Sequence, residues 1–336
     1  MAIQWKRRLA AGLVLAVLPL IMTAGSLHFH CEEARAAQVI KEEKGTYGCL
    51  TWPQNLNAVR SEVEIFKKIP KDLRADTPIA NAIYRNTQVY TNSLMLDMRQ
   101  LPAEKPLFYR VRAYDLDGHP IGPYSQPADV ESALFKTERN APIPHDSYGK
   151  GNGSVLLYPV YAYTGNPNAA RYEIEVTSKY PENLHGFSPS VHRIYAAKTE
   201  LTDLYDDAPR TGTYYWRVRG MDSTGKPVGE WSLPQEIKNP VKHWKVAVYG
   251  DSISHGGGHL SFGPADLAYS YESYLDFPSI NLSQSGDTSE AMVMRFEKDV
   301  LPFSPEYLLI LGGTNSLRAG VPAADVISHL KAIQRT

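Results

Sequence analysis

An internal repeat restricts the folds that are open to the middle of this 336-residue chain. Leu107–Val130 and Tyr214–Ile237 align without a gap at an offset of 107 residues, and nine of the aligned positions are identical. The offset is too long for the stacked units of a solenoid, which repeat every 20 to 50 residues or so. It suits an independent domain of about 100 residues. The repeat therefore predicts two domains of one kind in tandem.

The pattern within the second copy predicts a β-sandwich. Tyr215–Gly220 alternates between its two faces, Asp222–Gly225 is rich in turn residues, and Val228–Ile237 is predicted to return as a second strand. Upstream, Ser154–Tyr163 and Arg171–Thr177 are predicted as two more strands. Short strands with turn signals about every ten residues are typical of sandwiches. We interpret the rows of arginine and aromatic side chains as cross-strand packing rather than a ligand site.

The run Tyr-Tyr-Trp-Arg-Val-Arg-x-x-Asp-x-x-Gly…Trp-Ser in residues 214–232 resembles the end of fibronectin type III-like domains. The resemblance implies one such domain at 140–240 and another, degenerate in its first half, at 48–137. Domains of this family present or space other domains, and some bind sugars or proteins. Neither copy shows a catalytic constellation.

The amino terminus predicts export. Lys6–Arg8 is basic, Leu9–Ala24 is apolar, and Ala34–Ala36 has the small-x-small pattern of a cleavage site. We therefore expect a signal peptide at 1–37 and a secreted, periplasmic or cell-surface bacterial protein. An uncleaved membrane anchor is the alternative, although Pro19 interrupts an apolar run that barely reaches spanning length.

Charge argues against a nucleic-acid partner. Lys and Arg number 35 against 36 Asp and Glu, a formal net charge of −1, so there is no basic excess to neutralise phosphates. Of the two cysteines, Cys31 would leave with the signal peptide and Cys49 would remain alone. We expect no internal disulfide in the mature chain.

The pattern changes beyond residue 240, where short apolar strands alternate with helices. The predicted strands are Lys245–Tyr249, Pro278–Leu282 and Tyr307–Leu311, and the predicted helices are Ser289–Leu301 and Ala323–Ile333. This alternation indicates a parallel sheet covered on both faces. Functional groups in such sheets gather beyond the carboxyl ends of the strands.

Each predicted strand ends in or is followed by glycine and small polar residues, in Gly250-Asp251-Ser252, Asn281–Gly286 and Gly312–Asn315. The Ser252 hydroxyl would lie at the rim of the sheet, beside the free N–H groups that begin a helix. Gly286 allows a backbone N–H to approach a substrate, and the Asn315 amide can donate to the same oxygen. The pattern favours nucleophilic acyl transfer with an oxyanion hole.

Together the three motifs resemble the SGNH (GDSL-type) hydrolase family over residues 245–336. The resemblance implies Ser252 as nucleophile, with its own N–H, the Gly286 N–H and the Asn315 side chain as oxyanion donors. Gly250 and Asp251 would support the nucleophile, with Asp251 shaping the turn or capping the helix. The resemblance also implies a flavodoxin-like α/β/α fold and esterase, lipase or carbohydrate-deacylase chemistry without a cofactor.

The sequence departs from the family in its general base. The family takes this base from an Asp-x-x-His far downstream of the asparagine block, whereas His329 is the only histidine after Asn315. Asp325 and His329 have the wrong spacing, and we interpret His329 as an exposed position of an amphipathic helix. We therefore expect residues 1–336 to be a fragment that is nearly inactive without such a base.

The segment that follows Ser252 predicts neither a metal site nor a phosphate-binding loop. His255 and His259 flank Gly256–Gly258 and could line a pocket, but they lack a third metal ligand, so we expect no metal. The glycine run also lacks the lysine and hydroxyl residue of a phosphate-binding loop.

The sequence predicts an exported serine esterase. It would act on O-acetyl or short-chain acyl esters, including those of surface or extracellular glycans. The alternative is a cell-surface binding or adhesion protein that uses the sandwich repeats and carries an inactive hydrolase remnant.

Overall fold

The computed structural model describes residues 45–336, apart from 54, 56, 73–75, 146–154, 186, 257–270, 272–274 and 276. The predicted signal peptide at 1–37 and His259 lie outside the described residues. Within the described part of the chain, no helix is both long and apolar enough to cross a membrane.

The first β-sandwich occupies residues 47–136. Its elements are β1 (Tyr47–Thr51), β2 (Arg60–Phe66), β3 (Tyr84–Val89), β4 (Ser93–Asp97), β5 (Phe108–Tyr114), β6 (Pro120–Ile121), β7 (Ala128–Asp129), α1 (Val130–Ala133) and β8 (Phe135–Lys136). One sheet has the order β4-β1-β8, and the other has the order β3-β2-β5-β6 with β7 also paired to β5. Side chains from both sheets, among them Leu50, Val63 and Val111, share one buried core.

The second sandwich repeats this layout in residues 143–239. Its strands are β9 (Ile143–Pro144), β11 (Val160–Thr164), β12 (Arg171–Thr177), β13 (Arg193–Thr199), β14 (Asp203–Tyr205), β15 (Gly212–Met221), β16 (Pro227–Val228) and β17 (Gln235–Asn239). A further strand, β10 (Val155–Leu156), lies between β9 and β11 in the chain. The sheets are β14-β11-β9 and β13-β12-β15-β16, with β17 paired to β15. The tandem sandwiches predicted from the repeat are confirmed.

The carboxyl-terminal part is an α/β layer. It contains β18 (Val246–Gly250), α2 (Ser252–His255), β19 (Ile280–Asn281), α3 (Ser289–Asp299), β20 (Tyr307–Leu311), α4 (Thr314–Arg318) and α5 (Ala323–Arg335). The strands are parallel in the order β19-β18-β20. The predicted parallel sheet is therefore present, although β19 is shorter than the sequence indicated.

The prediction of a single strand at 154–163 was wrong. Ser154–Tyr163 was predicted as a single strand of the second sandwich, but its described residues separate into β10 and β11. Strand β10 leaves the sandwich and pairs in parallel with β19, so it becomes the edge strand of the α/β sheet. Residues 157–159 lie between the two strands and carry the chain from one sheet to the other.

The expectation that helices cover both faces of the parallel sheet does not hold at β20. Leu308 and Ile310 pack with Phe296 of α3 and Ile333 of α5 in one core. The alternate side chains Tyr307, Leu309 and Leu311 are exposed. Strand β20 pairs only with β18 among the described strands, so it is an edge strand. Among the described helices, α3 and α5 cover only the face of β20 that carries Leu308 and Ile310.

The arginines of the repeat form buried ion pairs on the sheet face opposite to the sandwich core. Arg217 Nη2 lies 2.6 Å from a carboxylate oxygen of Glu175, and both side chains are fully buried. Arg219 pairs with Glu173 at 2.7 Å. The Trp231 ring lies against both guanidinium groups, with its centroid 4.6 Å from the Cζ atom of Arg217 and 4.3 Å from that of Arg219.

The first sandwich has the same arrangement one repeat earlier. Arg110 pairs with buried Glu64 at 2.8 Å, and the Tyr124 ring lies against Arg110 and Arg112 at 3.7 Å and 5.2 Å. Tyr124 stands where the second copy has Trp231. The rows of arginine and aromatic side chains in both repeats thus pack across the strands and form ion pairs, as we expected from the sequence.

Trp231 also explains why Val228–Ile237 is not the single strand that we predicted. The run is divided into β16 and β17, with residues 229–234 between them outside any strand. Gly229 has a φ of +77°, which turns the chain out of the strand path. The Trp231 ring then reaches the arginines, and the Ser232 hydroxyl accepts a 3.0 Å hydrogen bond from Val218 N–H.

Glu175→Ala is expected to lower the free energy of unfolding of the second sandwich by about 3–5 kcal/mol, because it leaves buried Arg217 without its counter-ion. Glu236→Ala, which breaks an exposed pair with Lys238, is the matched control and should leave the midpoint unchanged. Urea denaturation followed by fluorescence measures both. Equal midpoints for the two variants would contradict a structural role for the buried pair.

Buried His145 makes the free energy of unfolding depend on pH in the acid range. It lies between the two sandwiches, with Nε2 2.8 Å from Thr164 Oγ1 and 3.4 Å from Ser93 Oγ. Burial lowers the pKa of His145 to about 4. Between this value and the ordinary value of about 6.5, the unfolded chain binds a proton that the folded chain does not. Stability is therefore complete above about pH 6.5 and falls as the pH falls towards 4.

From pH 7 to pH 5 we expect this group to remove about 2 kcal/mol from the free energy of unfolding. His145→Gln should abolish that loss, whereas His119→Gln, at an exposed site, should retain it. Urea titrations at the two pH values test this. A His145→Gln protein with the wild-type pH dependence would refute the assignment.

Candidate active site

The ends of β18, β19 and β20 bring the three motifs to one edge of the sheet. Gly250 lies opposite Leu311 in the pairing of β18 with β20, and Val248 lies opposite Asn281 in the pairing with β19. Because all three strands run in the same direction, the segments that follow them emerge together. Ser252, Gly286 and Asn315 lie on those three segments.

Gly250 holds the end of β18 to both neighbouring segments. A Cβ atom at this position would lie 2.0 Å from the carbonyl oxygen of Leu311, so only glycine fits against β20. The Gly250 carbonyl accepts hydrogen bonds from Gln284 N–H at 3.0 Å and from Arg295 Nη2 at 3.2 Å. The turn that contains Gly286 is thus hydrogen-bonded to the end of β18, two residues before Ser252.

Asp251 caps the short helix that begins with Ser252. Its Oδ1 atom accepts a 3.0 Å hydrogen bond from Ile253 N–H, and left-handed Gly256 ends the helix. The carboxyl group is buried, which raises the pKa of Asp251. Its Oδ2 atom has no hydrogen-bond partner among the described residues. Ser252 itself is half-buried at the start of α2.

Gly286 and Asn315 come together through the residue that follows Gly286. The Asn315 side chain donates a 2.8 Å hydrogen bond from Nδ2 to the carbonyl oxygen of Asp287. Its amide group carries a second N–H. Gly286 is exposed with a φ of +93°, and apart from its chain neighbours no atom of the described residues lies within 4 Å of the place where a Cβ would stand. Within the described part of the chain, the Gly286 turn is therefore open beside the Asn315 amide.

An arginine that the sequence analysis did not identify fixes the same turn. Arg295 of α3 pairs with Asp287 and Asp299, and it donates to the Leu282 carbonyl at 2.7 Å. Burial raises the pKa of the Asp287 carboxyl, while Arg295 acts in the opposite direction. The i,i+4 spacing of Arg295 and Asp299 was visible in the sequence, but the link to Asp287 depends on the fold.

The interpretation of His329 as an exposed position was wrong. His329 is half-buried, and its Nδ1 atom lies 3.0 Å from the hydroxyl of Ser289 at the start of α3. The Ser316 hydroxyl accepts a 2.8 Å hydrogen bond from Ser289 N–H. Ser316 thereby joins α3 to α4. His329 thus connects helices α5 and α3.

Two other features lie on the first sandwich. A cavity of about 410 Å³ opens beside Trp52, Tyr90 and Arg60. Asp115, Asp117 and His119 form a cluster on the turn between β5 and β6, with ligand atoms within 4.8 Å of one another. Neither feature includes a residue of the strand ends described above.

Residues 248–336 match the model of the GDSL-like Lipase/Acylhydrolase family, which confirms the resemblance predicted for this segment. The match covers about a quarter of the chain. No curated protein matches the chain. The carboxyl-terminal segment therefore carries a domain of the GDSL-like hydrolase type.

Three solved structures are similar to part of the chain, and each alignment covers 59% of it. The FN1–FN3 domains of chicken CNTN1 are 14% identical with a TM-score of 0.19. The β-1,2-glucanase of Parabacteroides distasonis is 12% identical with a TM-score of 0.21. Fibronectin(III)-like modules of Clostridium thermocellum CbhA are 14% identical with a TM-score of 0.17. The chain spans 64%, 28% and 88% of these structures, respectively, and thus less than two thirds of the first.

Gly250→Ala and Gly286→Ala should differ in their effect on stability. The first variant forces a Cβ against the Leu311 carbonyl, so we expect a loss of about 3 kcal/mol. The second places alanine at positive φ in open space, which costs about 1–2 kcal/mol of backbone strain. Chemical denaturation measures both losses. Equal losses would contradict the close approach of β18 to β20 at Gly250.

Proposed function

We propose that this protein is an exported serine esterase of the GDSL type that hydrolyses short acyl esters. The observation that carries the proposal is the convergence of Ser252, Gly286 and Asn315 at one edge of a parallel sheet, within the segment that matches the hydrolase family. Gly250 fastens the turn before Gly286 to the end of β18, and Asn315 binds the residue after Gly286.

In the first step, the Ser252 hydroxyl attacks the carbonyl carbon of the ester and transfers its proton to a general base. The negative charge that develops on the carbonyl oxygen is stabilised by hydrogen bonds from Ser252 N–H, Gly286 N–H and Asn315 Nδ2. The bond to the leaving alcohol then breaks, the alcohol takes the proton, and an acyl ester of Ser252 remains.

In the second step, water attacks the acyl-enzyme, the acid leaves, and the Ser252 hydroxyl is restored. We propose a histidine as the general base, because the family resemblance implies the histidine of an Asp-x-x-His block, a motif that residues 1–336 do not contain. Activity is measured on the full-length protein.

Export and the tandem sandwiches support acyl esters of surface or extracellular glycans as the substrate class. The basic and apolar runs at the amino terminus support export, and the sandwiches would space or present the hydrolase domain. The near-neutral charge does not favour a nucleic-acid partner. Release of acetate from an acetylated polysaccharide, compared with 4-nitrophenyl acetate, tests the substrate class.

Ser252→Ala should abolish hydrolysis of 4-nitrophenyl acetate by the complete gene product, because no acyl-enzyme can form. Asn315→Ala should lower kcat by about 10²–10³-fold with little change in KM, because the amide acts on the transition state. Ser188→Ala, at an exposed serine outside the site, is the matched control and should keep wild-type rates. Circular dichroism checks that each variant is folded.

Unchanged turnover in Ser252→Ala would refute the esterase proposal. The sandwich-based binding or adhesion protein would then be the better account of this chain.

A further inference from the structure

The second sandwich contributes part of the hydrolase sheet and core. Val155 lies opposite Ile280 in the parallel pairing of β10 with β19, and Leu157 N–H donates to the Asn281 carbonyl at 2.9 Å. The next residue, Tyr158, is buried in the same core as Tyr249 of β18. Its hydroxyl donates a 2.5 Å hydrogen bond to Asp299 of α3. The segment that follows β10 therefore packs into the core of the α/β layer.

His255 connects this segment to the helix of the nucleophile. It is the last residue of α2, three positions after Ser252, and its side chain is fully buried. Its Nε2 atom lies 2.8 Å from the carbonyl oxygen of Tyr158, and its ring packs edge-on against Tyr205 of β14 at 5.0 Å. A carbonyl oxygen can only accept, so the ring carries a proton on Nε2.

The other ring nitrogen faces the turn of the oxyanion hole. His255 Nδ1 lies 3.3 Å from the hydroxyl of Ser285, the residue immediately before Gly286. A neutral ring protonated on Nε2 accepts at Nδ1. Ser285 therefore donates to His255, and a chain of two hydrogen bonds runs from Tyr158 to the turn.

The position of this turn depends on what holds the residues on either side of Gly286. Gly286 is exposed, and its Cβ position has no neighbour within 4 Å among the described residues apart from the adjacent residues of the chain. On one side, Gln284 N–H donates a hydrogen bond to the Gly250 carbonyl, and the Ser285 hydroxyl contacts His255 Nδ1. On the other side, the Asp287 carbonyl accepts a hydrogen bond from the Asn315 side chain. A displacement of about 1 Å in a catalytic group can lower the rate by about a hundredfold.

We propose that His255 is a positioning residue that fastens the Gly286 turn to the second sandwich, so that this sandwich is part of the esterase site. The inference rests on the proposed function. In this role His255 exchanges no proton with the substrate, because its Nε2 atom is hydrogen-bonded to the Tyr158 carbonyl and its Nδ1 atom faces Ser285.

Kinetics of the complete gene product test the proposal. Ser285→Ala removes the donor to His255, and His255→Gln retains an N–H for the Tyr158 carbonyl while losing the acceptor for Ser285. Each should lower kcat for 4-nitrophenyl acetate about tenfold to a hundredfold with KM unchanged. The double variant should lose no more than the larger single loss, because both act in one chain of contacts.

Two controls separate positioning from other roles. His243→Gln changes an exposed histidine whose ring lies 3.3 Å from Glu306, and it should retain wild-type kinetics. The pH dependence of kcat/KM in His255→Gln should keep its wild-type midpoint. Loss of that midpoint would make His255 the general base and overturn the proposal.

A spectroscopic measurement decides the hydrogen-bond chain without activity. Nitrogen-15 NMR of histidine-labelled protein should show the His255 ring neutral and protonated on Nε2 at neutral pH. Ser285→Ala should shift the Nδ1 resonance and leave the tautomer unchanged. A ring protonated on Nδ1, or charged at neutral pH, would overturn the proposal.

The outcomes distinguish this inference from the proposed function. If hydrolysis depends on Ser252 but Ser285→Ala keeps the wild-type kcat, the positioning role is wrong and the esterase stands. If Ser252→Ala retains activity, the esterase proposal and the positioning role in it both fail. Should His255→Gln not fold, Ser285→Ala, at a half-buried turn position, still decides.

Discussion

The parallel pairing of β18 with its neighbours determines where the candidate site residues lie. Gly250 stands opposite Leu311, and the backbones approach so closely that a Cβ atom has no room. The segments with Ser252, Gly286 and Asn315 emerge beyond these paired strand ends. The chemistry that we propose needs donors held in place before the substrate arrives, and backbone pairing is a rigid way to hold them.

The second sandwich is joined to the same parallel sheet through strand β10. An edge strand exposes unpaired N–H and C=O groups, and β10 pairs with the edge that β19 would otherwise expose. Arg295 lies against the rings of Tyr249 and Tyr158, so one cation contacts side chains from both parts of the chain. The core of the α/β layer therefore contains residues that lie more than a hundred positions apart in the sequence.

Local patterns in the sequence predicted the sandwiches, the parallel strands and the order of the site motifs. They could not predict the departure of Val155–Leu156, because a short apolar run has the same appearance whichever sheet edge it joins. The buried position of His255 depends on a carbonyl 97 residues earlier, and the link from His329 to Ser289 spans 40 residues. Such contacts leave no local periodicity, whereas strand alternation and turn glycines do.

Identification of the residue that an organophosphorus ester modifies is the most direct test of the central claim, that Ser252 at the end of β18 is the nucleophile. The complete gene product would be treated with a fluorophosphonate, digested, and mapped by mass spectrometry. The account predicts one adduct, on the peptide that contains Ser252, and none after heat denaturation. An adduct on another serine, such as Ser285, or equal labelling of the denatured chain would contradict it.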